Sequence, residues 1–180
     1  VSYILNDCIV EVWGYKKARL VIWTGFAMNF FVVLTAQLVR LLPAAPFWDG
    51  GAHFDYVFAL APRITLASML AFVSGSSVNA WVMSRMKVAS SGKRFSLRAI
   101  VSTIAGETID SLIFFPIAFW GLEAGNMLKL MLTQIIVKTL YEIIILPVTM
   151  TVVKKVKKIE GEDVYDGHIS YNPFKIGDLR

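Results

Sequence analysis

Four stretches of mainly apolar residues, each long enough to cross a bilayer and each set off from the next by a connection that carries charged residues, leave this chain few ways to fold. They occupy residues 20–42, 63–84, 98–120 and 126–153. A hydrocarbon core of about 30 Å takes roughly 20 apolar residues in a helix. The chain is 56% hydrophobic, above the roughly 45–50% of soluble domains, and its mean hydropathy is +0.61. The expected fold class is an all-α integral membrane protein. A fifth apolar stretch, 1–13, is too short to span and reads as the second half of a helix whose start is missing. One more helix upstream makes the expected parent a six-helix transmembrane bundle, with four full spans and part of a fifth in this chain. No basic leader precedes an apolar core, so no cleavable signal peptide is expected. The bundle is expected over 1–158 and a cytoplasmic C-terminal tail over 159–180, whose Gly161, Gly167, Pro173 and Gly177 predict loop character.

Short loops rich in Lys and Arg stay on the cytoplasmic side. Lys16, Lys17 and Arg19 precede the first window, Arg85, Lys87, Lys93, Arg94 and Arg98 lie between the second and third, and Lys154, Lys155, Lys157 and Lys158 follow the last. These basic residues read as topology anchors. The opposite connections, 43–62 and 121–125, hold no Lys or Arg but carry Asp49, Asp55 and Glu123. Trp48, Phe54, Tyr56, Phe58 and Trp120 fit an aromatic belt at headgroup depth.

Several function classes drop out. The net charge of +5 does not point to nucleic acid, because the basic residues sit at membrane ends, where topology accounts for them. Cys8 is the single cysteine and there are two histidines, which gives no disulfide and no zinc pattern. No cofactor is expected. A Gly-rich ATP-binding loop is absent from the sequence. A Ser–His intramembrane enzyme has no base at depth, since His53 falls in an outer connection and His168 in the tail. Asp7 with Asp110 could be argued as an aspartyl pair, but neither sits in a recognisable motif, so an intramembrane enzyme is the remotest reading.

Polar residues inside the windows are more informative, because a charge near the bilayer centre costs roughly 2.5–3.5 kcal/mol on insertion scales. Thr103, Glu107 and Asp110 share one helical stripe beside Ser102 and Ser111. Gln134, Lys138 and Glu142 step by four along the last window, and Lys138 is expected to pair with Glu142 within that helix. The first stretch adds Asn6, Asp7 and Glu11, and the second window adds Arg63, Ser68 and Asn79 with further serines. Hydroxyls and amides often serve as interhelical glue, and Gly25, Gly75 and Gly106 can let helices approach. Carboxylates facing a shared interior instead suit a flat polar heterocycle, whose ring N–H and amino groups they can accept.

The run Asp7 to Val10 followed by EVWGYKKAR (11–19), then RITLASMLAF (63–72), RAIVSTIAGETID (98–110) and VYDGHISYNPF (164–174), in that order, resembles the queuosine precursor transporters, the vitamin-uptake-transporter-like family. The resemblance covers residues 7–174, nearly the whole chain. It implies a multi-pass importer of 7-deazaguanines in a bacterial or archaeal cytoplasmic membrane. Asp7, Glu11, Arg63, Ser68, Ser102, Thr103, Glu107 and Asp110 fall on recurring polar positions of that family. Glu107 stands where the pattern more often has Gln, and Asn79 where it more often has Asp, which leaves the preferred precursor open.

The leading expectation is thus a transporter of a purine-like small molecule bound near the midplane, by a site drawn from Asp7, Glu11, Arg63, Ser68, Asn79, Ser102, Thr103, Glu107, Asp110, Gln134 and Lys138. The alternative is a substrate-binding membrane subunit of a vitamin importer that borrows a separate ATPase. Partners are the lipid bilayer and the solute, and a homodimer is compatible with the sequence. A reporter active only outside the cytoplasm should work when fused at residue 122 and fail at residue 90 or 160; the reverse pattern refutes the orientation.

Overall fold

The computed structural model describes residues 2–59, 61–167 and 169–175; His168 and residues 176–180 of the tail lie outside them. Five helices follow in order: α1 Ser2–Arg40, α2 Gly51–Ala59, α3 Ala61–Ala89, α4 Phe95–Ala118 and α5 Ala124–Glu160. All but the short α2 include a segment long and apolar enough to cross a membrane. Large apolar side chains such as Phe30, Phe31, Leu38, Ile144 and Val148 point outward, as expected where the solvent is lipid and only polar groups gain from turning inward.

The expected break between the first stretch and the first full window falls at Gly14, whose φ of 80° and ψ of 177° interrupt α1. Leu5, Asn6 and Ile9 before it line the same crevice as Val21, Ile22 and Gly25 after it, so the chain doubles back on itself. The reversal uses one glycine rather than a loop. Lys16, Lys17 and Arg19, expected in a loop, are therefore helical. A side chain at Gly14 would need a backbone region almost reserved for glycine, and a Cβ there would stand 2.8 Å from Asp166 Oδ1 and 2.9 Å from Val164 Cγ1.

Those last two residues belong to the tail. It has the expected irregular backbone, but it is docked against the bundle. The Tyr15 N–H donates to Asp166 Oδ2 at 2.8 Å, and the Val164 N–H to the Val12 carbonyl at 3.1 Å. Ser84 also donates to Asp166, and the Tyr15 hydroxyl to the Tyr171 carbonyl. Arg19 reaches the Asn172 carbonyl at 2.8 Å and Trp23 Nε1 the Pro173 carbonyl at 2.7 Å. Gly14 opens a helix end whose backbone groups lack intrahelical partners, and the tail supplies them.

At the same end, several basic residues also make contacts inside the bundle. Arg19, Lys87 and Arg98 are buried. Arg98 donates to both carboxylate oxygens of Glu11, and Lys157 reaches the same carboxylate at 2.7 Å. Lys87 donates to the Glu11 carbonyl and pairs with Asp163 at 2.6 Å, and Lys157 also pairs with Asp163, at 2.8 Å. Burial alone raises the Asp163 carboxyl, but the two ammonium groups outweigh it and hold the group below the usual carboxylate range. Its ion pairs therefore add stability above that range and lose it as pH falls through the lowered value.

The most extensive helix contact is between α3 and α4. It is close because Gly75 and Gly106 face each other: a Cβ on either would stand 2.9 Å from the other's carbonyl oxygen. Small residues let backbones approach where no hydrophobic drive joins helices in lipid. At the other end, the long connection contains α2, tied back by an Arg40–Asp55 pair at 2.9 Å, and within it Trp48 meets Phe54 edge-on and Phe54 packs tilted against Phe58.

Gly14→Ala should destabilise the fold by about 1–3 kcal/mol through backbone strain, with a further loss as Asp166 is pushed aside. The check is the thermal midpoint in detergent, and a midpoint equal to that of the parent would contradict the reversal. Asp166→Ala should lower it as well.

Candidate functional site

Halfway along α4, Glu107 is buried with 2% exposure and opens onto a cavity of about 390 Å³. Four segments enclose it. The first limb of α1 contributes Ser2, Tyr3 and Ile4, and α3 contributes Phe72 and Ser76. From α4 come Thr103, Glu107 and Asp110, and from α5 come Val137, Lys138, Tyr141 and Glu142. Thr103, Glu107 and Asp110 share a wall because steps of four and three bring side chains to one helical face. The two glycines behind that wall draw α3 in against it.

Charge in the cavity is organised across helices. Lys138 Nζ lies 2.7 Å from Glu107 Oε2 and 3.8 Å from Asp110 Oδ2. Gln134 donates to Asp110 at 3.3 Å. The expected pairing of Lys138 with Glu142 inside α5 is overturned: Lys138 turns to α4, and Glu142 faces Thr103 and Asp7 instead. Glu107 and Glu142 are equally buried, at 2% and 3% exposure, so the choice is set by the packing of α5 against α4, which brings the ammonium to Glu107.

Behind the cavity lies a second polar layer. Asn6 donates to Asn79 Oδ1 at 2.6 Å, Asn79 donates to Asp7 Oδ1 at 3.0 Å, and Ser102 donates to the same carboxylate at 3.2 Å. Asp7, Asn79 and Ser102 are buried, and none of the three lines the cavity. They tie the first limb of α1 to α3 and α4 at cavity depth.

Of the eleven residues drawn from the sequence, Thr103, Glu107, Asp110 and Lys138 thus meet at one cavity, with Gln134 bonded to its wall and Asp7, Asn79 and Ser102 directly behind. Three are elsewhere. Glu11 sits in the ion cluster of the basic end, more than a helical turn from Asp7. Arg63 is exposed and donates to the Ile117 carbonyl at the opposite end. Ser68 is half-buried on α3 and lines none of the described cavities. Conversely, Tyr3, Phe72 and Tyr141 line the cavity without having been singled out. Helical spacing held the signal: Tyr3 lies four before Asp7, Phe72 four before Ser76, and Tyr141 three after Lys138.

Chemically, the walls offer carboxylate acceptors, one ammonium donor, hydroxyls able to do either, and aromatic faces. Among the described residues no group of His, Cys, Asp and Glu is arranged to hold a metal. Glu11→Ala removes the carboxylate that Arg98 and Lys157 share and should cost about 3–5 kcal/mol, the range for breaking a buried pair. Asp110→Asn, at a cavity wall, should leave the thermal midpoint nearly unchanged. Equal midpoints for both variants would show that Glu11 is not structural.

A family model described as "Putative vitamin uptake transporter" matches residues 1–152. A "Probable queuosine precursor transporter" of Bacillus subtilis (strain 168) is 26% identical over 147 residues, covering 81% of this chain and 64% of that protein. The "Queuosine precursor transporter" of Escherichia coli (strain K12) is 31% identical over 121 residues, 66% of this chain and 51% of its own length. A "Probable queuosine precursor transporter" of Haemophilus influenzae is 27% identical over 122 residues, 66% and 48% of the two lengths. The chain thus spans between about half and two thirds of the curated relatives it matches. No solved structure matches it significantly. With long apolar helices around a polar cavity and a family match over most of its length, the chain belongs to the vitamin uptake transporter family, which includes proteins named as queuosine precursor transporters.

Proposed function

We propose that this protein carries a queuosine precursor, a 7-deazaguanine, across the cytoplasmic membrane, with its basic end and tail in the cytoplasm and the solute held in the Glu107 cavity. The observation that carries this reading is the placement of Glu107 and Asp110: two carboxylates at membrane depth on the wall of a 390 Å³ cavity. Such groups cost roughly 2.5–3.5 kcal/mol each to insert, and interhelical packing alone would be served as well by apolar side chains. The volume falls within the about 300–1,000 Å³ common for small-molecule sites.

A deazaguanine supplies what these walls lack. Its ring N–H and exocyclic amine are donors for the carboxylates, and its flat faces suit Phe72, Tyr3 and Tyr141. The class includes the 7-cyano and 7-aminomethyl forms and queuine. The names of the relatives from B. subtilis, E. coli and H. influenzae support the same class.

Cells that lack their own precursor uptake and synthesis should regain queuosine in tRNA from external precursor when they express this protein. Glu107→Ala and Asp110→Ala should each reduce that recovery by about ten- to 100-fold at equal membrane abundance, since each removes a charge-assisted contact worth about 1.5–3 kcal/mol. Full recovery in both variants would remove the cavity from the proposal. Loss of recovery on deleting a separate ATPase would instead make the chain a binding subunit.

A further inference from the structure

Two of the ion pairs between helices of this bundle differ in how they are held. In the Glu11–Arg98 pair both side chains are buried, at 3% and 1% exposure, and the carboxylate has a third partner in Lys157. In the Glu107–Lys138 pair the carboxylate is buried at 2% but the lysine side chain is 45% exposed. Among the described residues the ion-pair partners of Lys138 are Glu107 and Asp110 alone, both on α4. The first pair is locked. The second joins a buried acceptor to a half-exposed donor with no ion-pair partner, among the described residues, beyond the acids of α4, and both open onto the same cavity.

We propose that Lys138 determines specificity in this cavity, selecting heterocycles that carry a ring carbonyl next to a ring N–H over those with an amino group at the carbonyl position. The inference rests on the transporter reading above. Lys138 and Glu107 present a cationic donor and an anionic acceptor side by side, 2.7 Å apart. A lactam edge presents the complementary sequence, carbonyl acceptor then N–H donor. When it slots in, Lys138 shifts from Glu107 to the carbonyl, and Glu107 accepts the N–H in place of the ammonium. An exocyclic amine beside that N–H is then directed toward Asp110, which Gln134 holds in place. No buried charge loses a partner in this exchange, so the swap avoids the penalty of stranding a carboxylate in low dielectric.

An amino group in place of the carbonyl turns the acceptor facing Lys138 into a donor and the neighbouring ring N–H into a bare acceptor. The ammonium then meets a donor, and Glu107 a lone pair. Sites built to hydrogen-bond a specific group discriminate strongly against analogues that cannot answer it, because buried polar atoms are left unpaired.

The test is binding to the purified protein, with 7-cyano-7-deazaguanine and its 6-amino counterpart, which keeps the 2-amino and 7-cyano groups, as probes. The parent should prefer the 6-oxo compound by about tenfold or more. Lys138→Met should cut the preference about threefold or more, the remainder coming from Glu107, and Lys138→Arg should keep most of it. If the Met variant does not remain monodisperse, Lys138→Gln, a neutral donor, is read instead and should cut the preference about threefold or more. A lysine with only a structural role would weaken both probes alike, so a variant that binds with the preference intact overturns the assignment. If the parent binds both probes equally, the assignment of Lys138 falls while the transporter reading stands. If it binds neither, both fall together.

Discussion

Glu11 is the point on which the bundle closes. Its backbone belongs to α1, its carbonyl accepts from Lys87 of α3, and its carboxylate accepts from Arg98 of α4 and Lys157 of α5. In hydrocarbon there is no water to solvate a stray charge or backbone group, so each must be satisfied within the protein. One residue held by cations from three other helices, two of them on its carboxylate, is therefore worth more as a register mark than as a source of net energy. Desolvation takes back much of what the Coulomb attraction gives, but any packing that separates these groups leaves several charges unpaired at once.

The reversal at Gly14 follows from the same constraint. A helix end at the membrane boundary leaves backbone groups open, and the returning tail fills them through Asp166 and Val164. Without a side chain on residue 14 the tail can lie directly against the turn. The basic end is thus tied together by the ion cluster, the glycine turn and the tail, each using groups that the others leave available.

The cavity is built on the opposite logic. Where the basic end gives Glu11 and Asp163 two cations each, the lining of the cavity holds Glu107, Asp110 and Glu142 with Lys138 as its one cation among the described residues. Acceptors are in excess there, and the single ammonium is the least constrained member. The tight α3–α4 contact at Gly75 and Gly106, and the Asp7–Asn79–Ser102 layer behind it, hold the fixed wall of this site. A rigid wall facing one adjustable donor suits a solute that must be bound and then let go.

Fold class was legible along the chain because hydrocarbon imposes a length and a polarity that a window of about 20 residues displays directly. The acidic stripe of α4 was legible for a similar reason, since helical periodicity alone places Thr103, Glu107 and Asp110 on one face. Which faces meet was not. Lys138 reads equally well as a partner for Glu142 four residues on or for an acid on another helix, and only the packing of α5 against α4 assigns it to Glu107. Glu11 sits on the same stripe as Asp7 but serves the closed end, because it lies one turn nearer the reversal at Gly14, where Arg98 and Lys157 reach it. The tail reads as a loose polar extension, and its role as a cap depends on backbone groups that the reversal at Gly14 exposes. The sequence by itself determined which segments enter the membrane and which face of α4 is polar, because both depend on local spacing. The tertiary structure alone decided which charges are locked and which can exchange, because that depends on how many partners from distant helices each buried group can reach.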